Sequence, residues 1–287
     1  MPFLDRIQFA NQRDLTGFIP WTIEGSIVGY LRPQLCDLLS PWTDVFQVGS
    51  TEVSLHEGLS DFDTRSNAVA RVLPSLRSDG FVREAVGECY GVVEELGGSP
   101  FMCIDRGAAE AFGIITTGFH LNGLIGDDMW IARRSKTKPM FPGELDNMVA
   151  GGWPVDLTIE ENVVKECAEE AGMCETLASQ AESVGVMTYV MEIEKGLRRH
   201  AMHLYDLEVP DSFVPKPVDG EVDSFQRLSI DEVSCIVRDT SEFKYNSSMA
   251  VIDFLCRSGR INSDTPGYRE IISGMRVSLD NPASVSC

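Results

Sequence analysis

The sequence predicts a mixed α/β protein of two domains, a smaller N-terminal α/β domain over residues 1–117 and a second α/β domain over 118–287. Three observations support this prediction. A chain of 287 residues is long enough for two domains of ordinary size. Turn signals divide the first part into short strands and helices. From about residue 118 longer strand patterns begin, and a helix with clear capping signals follows them.

The N-terminal part carries patterns for a strand and two helices. Residues 25–31 predict a strand, 33–40 a helix that starts at a proline, and 60–76 a helix with apolar side chains at helical spacing. Residues 84–95 fit a strand or a helix. No pattern here points to chemistry, so we expect an accessory domain whose boundary falls between residues 105 and 118.

The second part contains longer elements and two loops rich in proline. The expected strands, loops and C-terminal helix, in order, are strands 119–125 and 129–134, loop 135–143, strands 183–192 and 200–209, loop 210–220 and helix 247–258. His200 and His203 fall on one of these strands. We expect them to share one face and to be structural, with a substrate contact as the alternative.

The charge balance limits the classes of partner. The chain has 24 Lys and Arg against 44 Asp and Glu, a net charge of −20. Such a charge repels phosphate backbones and anionic lipid, which argues against a nucleic-acid polymer or a membrane as partner. No apolar run is long enough for a membrane span. A small anionic ligand remains compatible with a local basic pocket. The sequence is also compatible with a homodimer.

The cysteines and the N-terminus predict a cytoplasmic location. The chain has 8 Cys without a CxxC pair, which favours reduced thiols over a disulfide framework or a zinc site. Its first residues, MPFLDRIQFANQRD, lack the basic and apolar pattern of a secretory signal.

Residues 151–173 hold the strongest chemical signal. Thr158 and Glu161 form a capping-box pattern, so a helix should begin near Ile159, and Gly172 suits its end. A pair of glycines, Gly151 and Gly152, precedes the helix and allows the backbone to approach a ligand closely.

Three glutamates on this helix converge on one side. Glu166, Glu169 and Glu170 stand at i, i+3 and i+4, so their like charges repel one another. A hard cation relieves that repulsion, because Mg²⁺ takes carboxylate oxygens and keeps waters and substrate phosphates as its other ligands. The alternative is a solvated acidic helix face. The flanking glycines and Lys165 favour the metal site.

This segment resembles the Nudix box, a glycine and a glutamate followed by Arg-Glu-aliphatic-x-Glu-Glu-x-Gly-aliphatic. Gly151 takes the opening position, and residues 165–173 (KECAEEAGM) take the closing half. The resemblance implies a metal site at Gly151, Glu166, Glu169 and Glu170, occupied by Mg²⁺ or Mn²⁺. Two positions depart from the pattern. Lys165 replaces the arginine and loses its bidentate fork. Leu157 replaces the first glutamate, for which Glu160 or Glu161 would have to compensate.

The resemblance extends beyond the box to a Nudix subfamily with an extra N-terminal domain. The segments that resemble it are residues 129–152, 219–225 and 242–249. This subfamily includes fungal and plant proteins, some fused to thiamine pyrophosphokinase. The resemblance implies an α/β/α Nudix sandwich with a mixed sheet, and a substrate with a terminal diphosphate.

A basic loop lies upstream of the box. It carries Arg133, Arg134, Lys136 and Lys138, with no acidic residue between positions 129 and 143. We expect these side chains to hold the diphosphate of a substrate, the arginines as planar forks and the lysines as point charges. The alternative is an ordinary solvated loop. Asn147 has two alternative roles, binding the substrate or ordering the loop.

The predicted reaction is hydrolysis of a phosphoanhydride to a monophosphate and phosphate. The catalytic candidates are Glu169, Glu170 and Glu221, with Glu170 or Glu221 as the base that takes the proton of water. Thiamine diphosphate or its oxidised derivatives are the leading substrates. The aromatic residues that stack on the organic part or lie in the core are Trp130, Phe141, Trp153 and Tyr189.

Three other functions compete with this one. The first is hydrolysis of 8-oxo-guanine nucleoside diphosphates. The second is a non-catalytic binding module, suggested by Leu157. The third, isopentenyl diphosphate isomerase, is disfavoured because Ala150 stands where that enzyme has a cysteine.

Overall fold

The computed structural model describes residues 2–280. The helices are α1 Phe3–Ala10, α2 Pro33–Leu39, α3 Phe62–Ser78, α4 Ile159–Ala171, α5 Glu175–Ala178, α6 Ile230–Asp239, α7 Tyr245–Arg257 and α8 Tyr268–Gly274. The strands are β1 Ile19–Ile23, β2 Ser26–Leu31, β3 Phe46–Val48, β4 Val53–Leu55, β5 Cys89–Val92, β6 Met102–Asp105, β7 Ile115–Ile125, β8 Asp128–Arg134, β9 Leu145–Asn147, β10 Val149–Gly152, β11 Glu182–Ile193, β12 Gly196–Glu208 and β13 Val222–Ser229.

The N-terminal unit has its own sheet and its own apolar core. Its strand order is β2-β1-β4-β3, and β5 and β6 form a separate antiparallel pair. The rings of Trp21 and Phe112 meet edge to face at 5.1 Å in the middle of the core. Asp61 caps α3 through the backbone N–H of Thr64, which fixes the start of the helix that covers this core.

The second unit is built on a mixed sheet. Its main strand order is β11-β12-β7-β8-β13, with β10 paired to β7 and β9 paired to β8. β7 and β12 run parallel, whereas β7 and β8 form an antiparallel hairpin. The predicted mixed sheet is therefore confirmed.

Helices cover both faces of this sheet. Alternate side chains of each strand point to opposite faces, so each face has its own apolar cluster. Phe119 and Tyr205 pack with α4 on one face. Met202 and Leu204 pack with α1, α6, α7 and α8 on the other. The predicted α/β/α sandwich is confirmed.

Helix α1 packs away from the N-terminal core. Its buried residues Ile7 and Ala10 belong to the cluster formed by α6, α7 and the sheet of the second unit. The Arg6 side chain donates to the backbone oxygen of Val237 at 3.0 Å. Helix α1 is therefore part of the second unit by packing, although it precedes the N-terminal sheet in the chain.

Most elements fall where the sequence patterns placed them, with one correction. His200 and His203 lie on β12, but three positions separate them, so they point to opposite faces. The ring of His200 lies 5.5 Å from that of Tyr189. The ring of His203 lies 5.2 Å from that of Trp153 on the other side. The expectation of a shared face was wrong because an odd spacing cannot keep one face of a strand.

Within residues 2–280, no helix is both long and apolar enough to cross a membrane.

Candidate active site

The capping residues of α4 act as the sequence predicts. The Thr158 side chain accepts from the N–H of Glu161 at 3.2 Å, and the Glu161 carboxylate accepts from the N–H of Thr158 at 2.8 Å. Gly172 ends the helix in the left-handed conformation at φ 62°. Glu161 thus stabilises the helix start, next to Leu157, whose backbone oxygen accepts from the Trp153 indole at 2.7 Å.

The three glutamates of α4 have different surroundings. Glu170 is buried, and its Oε2 accepts from the N–H of Ala150 at 3.0 Å. Burial raises the pKa of Glu170 well above its usual range, and the nearby carboxylates of Asp146 and Glu166 raise it further. Glu166 is mostly buried, and burial raises its pKa, against the opposing effect of Lys165. Glu169 is about half exposed.

Lys165 bridges two of these carboxylates. Its Nζ lies 3.0 Å from Glu166 and 3.1 Å from Glu169. Lys165 therefore pairs with both neighbouring carboxylates, although it lacks the guanidinium of the arginine that it replaces. It does so as a point charge.

Gly151 allows the backbone of β10 to lie directly against Glu166. A Cβ atom at position 151 would stand 2.7 Å from the carboxyl carbon of Glu166, closer than van der Waals contact permits. Only glycine therefore fits here without moving that carboxylate. The carboxylates and the bare backbone next to them fit the oxygen chemistry of Mg²⁺ or Mn²⁺. As they stand, no three acidic, His or Cys side chains among residues 2–280 meet closely enough to hold a metal ion.

The two arginines of the basic loop donate hydrogen bonds to the backbone of the same loop. Arg134 Nε donates to the backbone oxygen of Phe141 at 3.1 Å, and its Nη2 donates to that of Met140 at 3.0 Å. Arg133 donates to the backbone oxygen of Gly143 at 2.8 Å. These contacts give both guanidinium groups a role in shaping residues 135–143.

The two lysines of the loop have different surroundings. Lys136 is exposed, and Lys138 forms an ion pair with Glu221. Glu221 lies directly before β13, in a turn where its N–H donates to the Asp219 side chain at 2.8 Å. Its charge is close enough to raise the pKa of Glu170. The structure therefore brings together the basic loop, Glu221 and the buried end of the box helix.

A buried carboxylate, Asp146, anchors the base of the loop. It pairs with Arg134 at 3.0 Å and with Lys244 at 3.2 Å, and it accepts from the Ser247 hydroxyl. Burial alone would raise the pKa of Asp146, but Lys244, with further help from nearby charges, holds it well below its usual range. No sequence pattern pointed to this group, although Lys244 and Ser247 lie in segment 242–249, which resembles the Nudix subfamily.

Asn147 belongs to a chain of buried polar side chains. Its Oδ1 lies 2.7 Å from His120 Nδ1, and its Nδ2 donates to Asn122 Oδ1 at 2.7 Å. Asn122 in turn donates to Asp206 at 2.9 Å. Because both the oxygen and the nitrogen of its amide bind protein side chains, Asn147 orders the centre of the sheet.

His120 makes the free energy of unfolding depend on pH. Burial, and next the charge of Lys244, lowers the pKa of His120 to about 4, against about 6.5 when unfolded. Between these values the unfolded chain binds the extra proton, so the stabilisation is complete above pH 6.5 and is lost as the pH falls towards 4. We expect His120 to contribute up to about 3 kcal/mol to this loss. Urea unfolding at pH 7 and pH 5 measures it. His120→Gln should reduce the difference, and an unchanged difference would contradict the assignment.

Residues of the N-terminal unit also lie against the glycine pair of the site, which no sequence pattern predicted. A Cβ atom at Gly152 would lie 2.3 Å from the hydroxyl of Tyr90 and 3.0 Å from the guanidinium carbon of Arg106. Arg106 pairs with Glu88 at 2.6 Å. These three residues sit on or beside β5 and β6, and only the fold brings them to the glycine pair that precedes the box helix.

The aromatic residues considered for stacking fall into two groups. Trp130 and Tyr189 are buried in the two faces of the sandwich. Trp153 and Phe141 are partly exposed, and Phe141 lies in the basic loop at φ 53°.

Comparison with known proteins gives a consistent set of relatives. Residues 2–116 match a family described as "Domain of unknown function (DUF4743)". The chain is 39% identical over 284 residues to Nudix hydrolase 24, chloroplastic, of Arabidopsis thaliana, covering 96% of this chain and 77% of that protein. It is 36% identical to Nudix hydrolase 20, chloroplastic, of the same plant, with the same shares covered.

More distant similarities extend to yeast and to a solved structure. The Saccharomyces cerevisiae protein YJR142W is 31% identical over 83% of this chain and 75% of its own length. The crystal structure of the MutT protein from Methanosarcina mazei Go1 has a TM-score of 0.40 at 15% identity, covering 50% of this chain and 95% of that one.

Proposed function

Since the chain belongs to the Nudix hydrolase family, we propose that it cleaves a phosphoanhydride of a small organic diphosphate with Mg²⁺ or Mn²⁺, releasing a monophosphate and phosphate. Thiamine diphosphate or its oxidised derivatives are the leading substrates, on the resemblance of the wider sequence. The observation that carries the proposal is the close approach of Gly151 to Glu166 beside the buried Glu170. Two carboxylates next to a bare backbone offer oxygen ligands to a divalent cation that also binds phosphate.

Glu166, Glu169 and Glu170 would hold the cation, next to the backbone of Gly151. A divalent cation supplies charge neutralisation on the diphosphate and lowers the pKa of an attacking water. The protein's own part is to fix these carboxylates. Lys165 does this for Glu166 and Glu169, and the N–H of Ala150 does it for Glu170.

Glu170 and Glu221 remain the two candidates for the base that accepts the proton of the water. Glu170 is buried, and one of its carboxylate oxygens accepts from the N–H of Ala150. Glu221 is exposed and paired with Lys138. Glu221→Gln separates them, because Glu221 is not one of the proposed cation ligands. Lost turnover with retained substrate binding would make Glu221 the base, and full turnover would leave Glu170.

The lysines of the basic loop are the proposed diphosphate ligands, and Arg134 is the residue that positions them. Arg134 already donates to Met140, Phe141 and Asp146. Lys138 can exchange its partner Glu221 for a phosphate oxygen, and Lys136 is exposed. Arg133 adds positive charge at the edge of the loop.

Lys138→Ala is expected to raise KM for a diphosphate substrate by roughly tenfold, because a charge-assisted contact of about 1.5 kcal/mol is lost. The measurement is phosphate release at varied substrate concentration. Lys216→Ala, at an exposed lysine outside the loop, serves as the matched control. Equal KM values for the two variants would contradict the phosphate role.

A phosphate-release screen with Mg²⁺ or Mn²⁺ tests the proposed function. It compares thiamine diphosphate and its oxidised forms with 8-oxo-guanine nucleoside diphosphates, other nucleoside diphosphates and nucleotide sugars. Release from the thiamine compounds at the highest kcat/KM supports the proposal. A preference for 8-oxo-guanine compounds supports the second substrate class. Tight binding without any turnover supports a non-catalytic module.

The remaining proposals concern partners and location. The partner is a small diphosphate, since the net charge of −20 disfavours a nucleic-acid polymer or an anionic membrane. A second copy of the chain, in a homodimer, is the alternative partner.

We propose a cytoplasmic location. Two relatives carry "chloroplastic" in their names, so fractionation of cells that express the tagged protein is the direct test.

A further inference from the structure

A cavity of about 360 Å³ lies where the two units of the protein meet. Phe81 and Glu110 line it from the N-terminal unit, and Arg198 and Tyr245 line it from the second. The end of the basic loop, at Met140 and Phe141, forms a further wall. Its volume is in the range of pockets that enclose small organic ligands.

Aromatic rings form the walls of this cavity. The ring of Tyr245 lies 5.6 Å from that of Phe141 and 6.0 Å from that of Phe9, both in edge-to-face contact. Phe9 is 41% exposed, although it is a large apolar side chain. Aromatic side chains with free faces favour flat aromatic ligands, through stacking and edge-to-face contact.

Three charged groups in the wall of the cavity, Glu110, Arg83 and Arg198, are paired with one another, and Glu194 and Lys195 also line it. Glu110 lies between Arg198 and Arg83, with Arg83 at 3.1 Å. Arg198 also donates to the hydroxyl of Tyr245. With these ion pairs in place, the cavity offers an aromatic surface with a polar edge, which suits the ring of an organic ligand better than its phosphates.

The basic loop links this cavity to the carboxylates of the box helix. Lys138 contacts Glu221, whose charge acts on Glu170. Phe141 stands three residues later, and three residues of chain span at most about 10 Å. That reach is comparable to the length of a diphosphate ester. Phe141 has the left-handed φ of 53°, uncommon for a bulky residue, and Arg134 binds its backbone oxygen.

We infer that the cavity between the two units binds the aromatic ring of the substrate, with Phe9, Phe141 and Tyr245 as its ring contacts. The basic loop then holds both ends of one molecule, its phosphates at Lys138 and its ring at Phe141. This assigns the N-terminal unit a part in substrate selection, through Phe81 and Glu110. The inference rests on the proposed function, because it places a diphosphate at the box helix.

The test compares ring-bearing diphosphates with a diphosphate that has no ring. Isothermal titration in Ca²⁺, which also takes oxygen ligands, measures the affinity of thiamine diphosphate, 8-oxo-guanosine diphosphate and methyl diphosphate. We expect at least one ring-bearing compound to bind about tenfold more tightly than methyl diphosphate. Phe9→Ala and Phe141→Ala should each reduce that advantage by about three- to tenfold. Phe62→Ala, at an exposed phenylalanine on α3, should leave it unchanged.

Two results would overturn the inference. One is equal affinity for the ring-bearing and ring-free compounds in the wild type. The other is an advantage that both Phe9→Ala and Phe141→Ala retain. Phe9 is partly exposed, so its variant keeps the test valid even if Phe141→Ala fails to fold. Binding is measured apart from hydrolysis, so absence of turnover in the phosphate-release screen would count against the proposed function and not against the ring site.

Discussion

Glu169→Gln is expected to lower kcat for a diphosphate substrate by roughly 10²–10³-fold with little change in the melting temperature. Its side chain is 48% exposed, and its ion pair with Lys165 is an i,i+4 surface pair, a type that contributes little to stability. Its charge, in contrast, is one of three that would hold the cation. Glutamine keeps the shape and removes that charge. Phosphate release gives kcat, and thermal unfolding gives the melting temperature.

The matched control for this variant is Glu175→Gln. Glu175 is also exposed and follows shortly after the box helix, on α5, so it reports the general effect of removing one negative charge. If Glu169 binds the cation, a higher Mg²⁺ concentration should restore part of the lost activity. Activity of Glu169→Gln equal to that of Glu175→Gln would sink the metal assignment.

The sequence predicts the box helix well because its signals are local. Thr158 and Glu161 satisfy each other's N–H groups across one turn, and Gly172 ends the helix where its conformation is needed. The placement of Glu166 and Glu170 one helical turn apart follows from the period of the helix. Each of these features needs only neighbours within a few positions, so a reading of the chain can recover them.

The contacts between distant segments could not be predicted in the same way. The basic residues around Arg134 suggest that it binds the substrate. In the structure its side chain contacts Asp146 and two loop carbonyls. Asp146 meets Lys244, 98 positions away. Arg106 lies close to Gly152 only because the β5–β6 pair packs next to β7 through β5. Such pairs depend on the packing of whole elements, for which one sequence contains no local signal.

Among these long-range contacts, Asp146 is expected to have the largest effect on stability. Asp146→Ala should lower the free energy of unfolding by about 3–5 kcal/mol, since it leaves buried charges without a partner. Lys244 and Arg134 would both lose their carboxylate, and the Ser247 hydroxyl would lose its acceptor. Urea unfolding at neutral pH measures the change. Asp44→Ala, which removes an exposed ion pair with Arg71, should have a small effect in comparison.

A second variant shows why Asp146 matters. If the cost of Asp146→Ala comes from the unpaired ammonium of Lys244, then the double variant Asp146→Ala/Lys244→Met should be more stable than Asp146→Ala alone. The methionine fills a similar volume without a charge, and replacing a buried pair costs less than breaking it. A double variant that loses the sum of the two single losses would instead show that the sites are independent. That result would contradict an electrostatic link between the base of the basic loop and α7.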